Sequence, residues 1–215
     1  MNLPETAKMV IFDFDGTLIK QSVSLELAEK FGFYREIEKL QRSVFNGEIE
    51  LEKGLKEAYD YFKGFSYNLI VDYTKEIEWL KGVNETVEHL KDKGYKLAVM
   101  SIGTPKNIVE EMIKFKDLSF DYVFGNKISV KNGVISGYIT GELMHVNSKS
   151  SVFRNLLEKV SINPENCVAV ADDIFNIPLF NLVNFGIAIN AQRPLKEVAD
   201  IVIETDDLRD ILPYL

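Results

Sequence analysis

Asp13 and Asp15 stand two residues apart at the end of an apolar run, Met9-Val10-Ile11-Phe12, and are followed by Gly16-Thr17-Leu18. Four apolar residues in succession read as a strand buried on both faces, as in a parallel sheet. In open α/β sheets ligands bind beyond the carboxyl ends of the strands, which puts both carboxylates where chemistry is done. Two carboxylates beside one cavity repel each other. The arrangement is tolerable if a cation sits between them or if their protonation states differ. Taken alone, such an aspartate also reads as an N-capping residue on a tight turn.

Two further apolar runs end in a polar group. Leu97-Ala98-Val99-Met100 ends in Ser101, and Val168-Ala169-Val170-Ala171 ends in Asp172. Together the three place carboxylates and a hydroxyl along one edge of a parallel sheet. Ser101-Ile102-Gly103-Thr104-Pro105 offers a small hydroxyl and free backbone N–H groups ahead of a helix, which is what phosphate oxygens require. It also reads as a plain N-cap before proline. Lys149, in Asn147-Ser148-Lys149-Ser150, begins a predicted helix. A cation there opposes the helix dipole, so it has either a specific partner or ordinary solvation. His89 falls on a predicted core helix and reads as structural. His145 precedes the Lys149 loop and is a candidate for substrate contact.

These residues need a frame. From 19 to 81 four apolar stripes recur at helical spacing: Leu25, Ala28 and Phe31; Ile37, Leu40 and Val44; Leu51, Leu55, Ala58, Tyr59 and Phe62; Ile70, Tyr73, Ile77 and Leu80. Asn46-Gly47, Gly64 and Gly82 stop the last three. Each stripe is a 3.6-residue face. Four in a row without a strand read as a small bundle. From Val83 strands and helices alternate: a helix ending at Gly94, a strand over 96–100, and a helix with Pro105 at its first position. Strands over 122–124 and 128–130 follow, with a hairpin turn at Lys131-Asn132-Gly133-Val134. Then come a helix over 149–160, strands over 167–171, 185–189 and 201–203, and a short helix over 206–214. This alternation implies a parallel sheet with helices on both faces, a Rossmann-like α/β core.

The 215 residues suit a core with an insert, and a hydrophobic fraction of 46% supplies a real interior. A net charge of −8 and a pI of about 5.0 argue against a nucleic-acid groove. Cys167 is the sole cysteine, which excludes an intrachain disulfide and points to a reducing, cytoplasmic compartment. Pro4, Glu5 and Thr6 stand where a leader would need apolar residues. No apolar run approaches the ~20 residues of a membrane span, so no membrane partner is expected.

Asp13-Phe14-Asp15-Gly16-Thr17, Ser101–Pro105, Lys149 and Asp172, in this order, resemble the four motifs of the haloacid dehalogenase superfamily, in its phosphoserine-phosphatase-like branch. The resemblance implies a core of residues 1–18 and 82–215 with a helical cap over 19–81. It implies a phosphatase acting on a small phosphorylated metabolite through an aspartyl phosphate. Asp13 would be the nucleophile and Asp15 the acid and base. Ser101, the backbone of Ile102 and Gly103, and Lys149 would hold phosphate. Asp13, the carbonyl of Asp15, and Asp172 would hold Mg²⁺.

The chain departs from that branch at Ala171, Asp173 and Asn176, where a glycine, a glycine and a second aspartate are usual. Asn176 brings no charge, and Asp173 is the candidate to replace it. Two positions that hold serine in phosphoserine phosphatases align with Ser22 and Ala58, neither of which carries charge. Lys20, Glu26, Lys56 and Glu57 are nearby substitutes. A phosphotransferase or phosphomutase of the same fold, or a non-catalytic phosphometabolite-binding protein, is the alternative. A monomer or homodimer is expected.

Overall fold

The computed structural model describes residues 9–215; Pro4, Glu5 and Thr6, and the start of the 1–18 stretch, lie outside the described residues. β1 (Met9–Phe12) is wholly buried and leads into the aspartate turn. The helical block comprises α1 (Val23–Phe31), α2 (Tyr34–Phe45), α3 (Leu51–Asp60) and α4 (Tyr67–Thr74). The alternating part follows with α5 (Val83–Asp92), β2 (Lys96–Ser101), α6 (Lys106–Phe115), β3 (Tyr122–Gly125), β4 (Lys127–Lys131) and β5 (Val134–Thr140). It continues through α7 (Ser148–Val160), β6 (Cys167–Ala171), α8 (Ile177–Phe180), β7 (Phe185–Ile189), α9 (Arg193–Lys196) and β8 (Ile201–Ile203).

Six parallel strands lie in the order β3-β2-β1-β6-β7-β8. The chain works outward from β1 on one side and from β6 on the other, so the order reverses between them. Such a switch point opens a crevice at the carboxyl edge of an α/β sheet. Phe12 aligns with Val99 of β2 and Val170 of β6. Asp13, Ser101 and Asp172 therefore emerge one, two and two residues beyond that level. The α/β core read from the alternation is the fold observed.

The helical block has little interior of its own. Ala28, Ile37 and Ala58 form a separate buried cluster. Leu51, Leu55, Tyr59, Phe62 and Ile70 belong instead to the same core as the sheet. Phe31 is the hub of an aromatic cluster with Phe33, Phe62, Phe65 and Tyr73.

The antiparallel hairpin β4–β5 also packs on this block. Gly64 N donates to Ile135 O, Ile135 N to Phe65 O, and Tyr67 N to Gly133 O, each at 2.9 Å. Its turn uses Asn132 (φ 52°) and Gly133 (φ 77°), the pair of left-handed residues that a tight hairpin requires. A boundary drawn at residue 82 therefore separates the hairpin in sequence from helices it touches in space.

Four details differ from the sequence reading. The fourth helix ends at Thr74 rather than running to Gly82. Ile77 and Leu80 are buried all the same, because the returning segment pairs with the outgoing one: Leu80 N donates to Leu18 O and Lys20 N to Glu78 O, both at 3.0 Å. Pro105 is the N-cap rather than the first helical residue, its ψ of 139° still extended. His89 is exposed, since the buried stripe of α5 is Val83, Thr86, Val87 and Leu90. The closing segment, Leu208–Tyr214, is a 3-10 helix.

Candidate active site

Asp13 is nearly buried, at 6% exposure, and its backbone N–H donates to Val170 O at 2.9 Å, continuing the sheet one residue past β1. Its Oδ1 accepts from the N–H of Phe14 at 2.7 Å. Its Oδ2 accepts from Lys149 Nζ at 2.7 Å and from Asn176 Nδ2. Lys149 is 1% exposed and donates also to Asn176 Oδ1 at 2.7 Å. The specific-partner reading of this lysine is the one the structure bears: a buried ammonium survives only when paired and hydrogen-bonded.

Asp172 and Asp173 complete an acidic group with Asp13, one oxygen of each lying within 4.8 Å of the others. Burial, then the charges of Asp173 and Asp13, push the Asp172 carboxyl well up. Burial and the Asp13 charge push Asp173 up to about 7. Thr17 Oγ1 donates to Asp172 Oδ1 at 3.2 Å. Asp173 Oδ1 accepts from Phe175 N at 3.0 Å and Asn176 Nδ2 at 2.8 Å. Gly16 has φ 75°, and a Cβ there would stand 2.1 Å from Asp172 Oδ2, so no side chain fits that turn. Three carboxylates against one ammonium leave negative charge in excess. An all-oxygen donor set of this kind suits a hard divalent cation.

Asp15 lines the same cavity but stands outside this group and takes other partners. Its Oδ1 accepts from Val23 N and Thr104 Oγ1, both at 2.8 Å, and its Oδ2 from Thr104 Oγ1 at 2.9 Å and Ser101 Oγ at 3.3 Å. Burial pushes its carboxyl up to about 6 against these bonds. The two aspartates of the opening motif thus sit in different surroundings. Asp15 is left only its backbone carbonyl to offer a cation shared with Asp13.

A cavity of about 370 Å³ opens over this edge beneath the helical block, with Asp13, Asp15, Asp172 and Asp173 on its floor and Ile102 and Gly103 beside them. The Ser101 hydroxyl is fully buried, accepting from Thr104 N at 3.1 Å and donating to Asp15, and does not line the cavity. Tyr59 of α3 reaches across and donates to Gly103 O at 2.6 Å. Phe45 of α2 meets Phe175, ring centroids 5.1 Å apart. A larger groove, about 1100 Å³, lies between α2, α3 and β5 and holds none of the sheet-edge carboxylates.

In the sequence Thr104 is one residue of the Ser101–Pro105 run and Tyr59 one of an apolar stripe; the structure sets Thr104 against Asp15 and Tyr59 against Gly103. Nothing local marked either one, since both act through partners distant in sequence. His145 is exposed, with Nδ1 3.7 Å from Glu52 Oε2, and does not line the cavity.

A model of the haloacid dehalogenase-like hydrolases matches residues 10–175. The chain belongs to that family. It is 35% identical over 208 residues to the phosphoserine phosphatase of Methanocaldococcus jannaschii, covering 97% of each chain. Its identity to the Lactococcus lactis phosphoserine phosphatase is 30% over 207 residues, covering 96% of this chain and 94% of the other. Among solved structures, a substrate-bound phosphoserine phosphatase complex superposes with a TM-score of 0.88 at 33% identity, covering 97% of this chain and 98% of that one. A phospho-aspartyl intermediate analogue of phosphoserine phosphatase also gives 0.88 at 33% identity, over 98% of this chain and 99% of that one. These likenesses place the chain in the phosphoserine-phosphatase-like branch. No helix among the described residues is long and apolar enough to cross a membrane.

Proposed function

We propose that this chain is a Mg²⁺-dependent phosphatase that hydrolyses a small-molecule phosphomonoester through an aspartyl phosphate on Asp13. The observation that carries the reading is the setting of Asp13: a carboxylate at the switch point of the sheet, bound to a buried lysine and open to a small cavity. Phosphoryl transfer asks mainly for positioning and for compensation of charge, and both are present.

In this reading an oxygen of Asp13 attacks phosphorus, the bond to the leaving alcohol breaks, and the acyl phosphate forms. Asp15 protonates the departing oxygen, then takes the proton of the water that hydrolyses the acyl phosphate. A carboxyl pushed up to about 6 keeps its proton closer to neutrality and suits that double role. The N–H groups of Ile102 and Gly103 hold phosphate oxygens, and the ammonium of Lys149, buried against Asp13 and outside the cavity lining, offsets the charge of nucleophile and phosphate. Ser101 acts through Asp15, which its hydroxyl contacts. Asp13, Asp172 and the carbonyl of Asp15 would hold Mg²⁺, with Asp173 adjoining. When bound, the cation offsets the charge that otherwise keeps phosphate from Asp13. The block over 19–81 serves as the cap that excludes water.

The missing charge at Asn176 is the feature of the sequence that favours a non-catalytic protein. Its bonds to Asp13, Asp173 and Lys149 account for it. The net charge of −8 supports a small metabolite rather than nucleic acid as partner, and the buried free Cys167 is consistent with a cytoplasmic setting. Beryllofluoride binding or acyl-phosphate trapping is expected to label Asp13. Asp13→Asn is expected to abolish turnover and leave the fold intact. Labelling elsewhere, or an active Asp13→Asn, overturns the assignment.

A further inference from the structure

The cavity differs sharply between floor and walls. Its charged groups are the four floor aspartates and Lys20. Lys20 is already matched by Glu78, to which its ammonium is bonded. Glu26, Lys56 and Glu57, the other charges that sequence placed nearby, do not line it. Lys56 is instead paired with Glu52 at 2.6 Å. Above the floor the wall is apolar, with Leu40, Phe45, Leu55, Ala58 and Phe175.

Neutral polar residues interrupt that wall at Gln21, Gln192 and Tyr59 and, as a bonded cluster, at Ser22, Ser24 and Gln41. Gln41 Nε2 donates to Ser22 Oγ and Ser24 Oγ, both at 3.0 Å, and the two hydroxyls are 2.9 Å apart and bonded to each other. All three residues line the cavity. The donors and acceptors can be counted. Two hydroxyl protons are available and the serine–serine bond uses one. Both amide protons of Gln41 are used, and its Oε1 has no partner among the described residues. One hydroxyl donor is left over, with acceptor sites on Gln41 Oε1 and on one serine oxygen.

We infer that Ser22, Ser24 and Gln41 select a phosphomonoester whose leaving alcohol is uncharged, apolar along most of its length, and carries a second hydroxyl or an amide. The inference rests on the phosphatase reading and narrows it to a substrate class. A hydroxyl both donates and accepts, which is what the cluster leaves open. A zwitterionic leaving group such as serine meets no such match. Its carboxylate would enter a cavity floored by four carboxylates, whose one lining cation among the described residues, Lys20, is bonded to Glu78, and its ammonium would leave water for apolar side chains. Sites that reject a group in this way discriminate strongly, because the unmatched polar atom is left buried.

Three esters of primary three-carbon alcohols test this on the full chain with Mg²⁺: propyl phosphate, 3-hydroxypropyl phosphate and phosphoserine. The expected kcat/KM for 3-hydroxypropyl phosphate exceeds that for phosphoserine by at least about tenfold, the equivalent of ~1.4 kcal/mol. It exceeds propyl phosphate by roughly the same factor, and Gln41→Ala shrinks that second ratio to about twofold or less. Turnover of all three with phosphoserine in front, or a ratio indifferent to Gln41→Ala, overturns the inference and leaves the phosphatase reading standing. Turnover of none, together with no acyl-phosphate labelling of Asp13, overturns the phosphatase reading. Calorimetric titration of the same esters into Asp13→Asn then decides the pocket: 3-hydroxypropyl phosphate binding ahead of phosphoserine supports it, and the reverse order defeats it.

Discussion

Lys149 and Asn176 are hydrogen-bonded to each other at 2.7 Å and both donate to the same oxygen of Asp13. The asparagine also donates to Asp173, so one amide nitrogen separates two carboxylates. Read from sequence alone, an aspartate at 176 would simply add a charge for a cation. In the structure it would remove two donated bonds and set a new carboxylate against two others. Asn176→Asp is therefore expected to melt several degrees lower without metal. Mg²⁺ is expected to raise its melting temperature more than it raises that of the parent. Thermal melts of both proteins with Mg²⁺ and with chelator check this; equal metal-induced shifts would show that the amide is not separating those charges.

Tyr59 fastens the helical block to the loop beside Asp13 by its bond to Gly103 O, and Tyr67 makes a second, less buried bond to Asn107 O at 2.9 Å. A hydrogen bond of this kind is worth about 1 kcal/mol net, more when its loss strands a buried partner. Tyr59→Phe is expected to cost ~1–2 kcal/mol, or roughly 2–8 °C in a chain of this size, and to raise KM more than it lowers kcat. Tyr67→Phe is expected to cost less in both respects. Paired melts and steady-state kinetics rank the two.

Asp121 ties the start of β3 to β2 and α5. It accepts from Lys91 at 2.8 Å, Leu97 N at 2.8 Å and Lys96 at 3.1 Å. Burial pushes its carboxyl up, but these bonds outweigh burial and hold it below its ordinary value. A carboxyl depressed by folding stabilises the native state above its unfolded value of ~3.9, and that contribution is lost as pH falls through the folded value. Asp121→Asn is expected to be less stable than the parent by about 1 kcal/mol at pH 7. The gap should close below about pH 4. Urea midpoints at both pH values measure the double difference, which isolates Asp121 from the other carboxyls; a gap that persists at low pH argues against the linkage.

Cys167 opens β6 at 0% exposure, and burial pushes its thiol up to about 12. A thiol so placed has almost no thiolate at neutral pH. It is expected to ignore a chromogenic disulfide reagent at pH 8 in the native protein and to react fully in urea. Rapid native labelling would mean that β6 opens locally.

The legible part of this molecule was the sheet. Runs such as Val10–Phe12 and Val168–Ala171 are apolar without interruption because both faces are covered, and each announces the polar residue that ends it. Lys149 was visible as a cation in the wrong place on a helix, and its partner explains the anomaly. The contacts that join distant segments were not legible. Tyr59 looks like any aromatic on a buried stripe, and Gln41 like any solvated glutamine, until the fold sets each against Gly103 and the two serines. The stop at Thr74 was missed because Ile77 and Leu80 keep helical spacing while serving an extended pair with residues 18–20.

The three backbone bonds between the β4–β5 hairpin and the 64–67 segment bear on how this chain can be rebuilt. Residues 19–81 look like a cassette, entered and left through one paired stalk, and a designer would cut there. Excision would strip the hairpin of its partners and expose Ile135 and Ile139, which are now buried. A graft of a foreign helical block would have to supply an edge that accepts this hairpin, or bring a hairpin of its own. The transplantable unit is two stretches of sequence, not one.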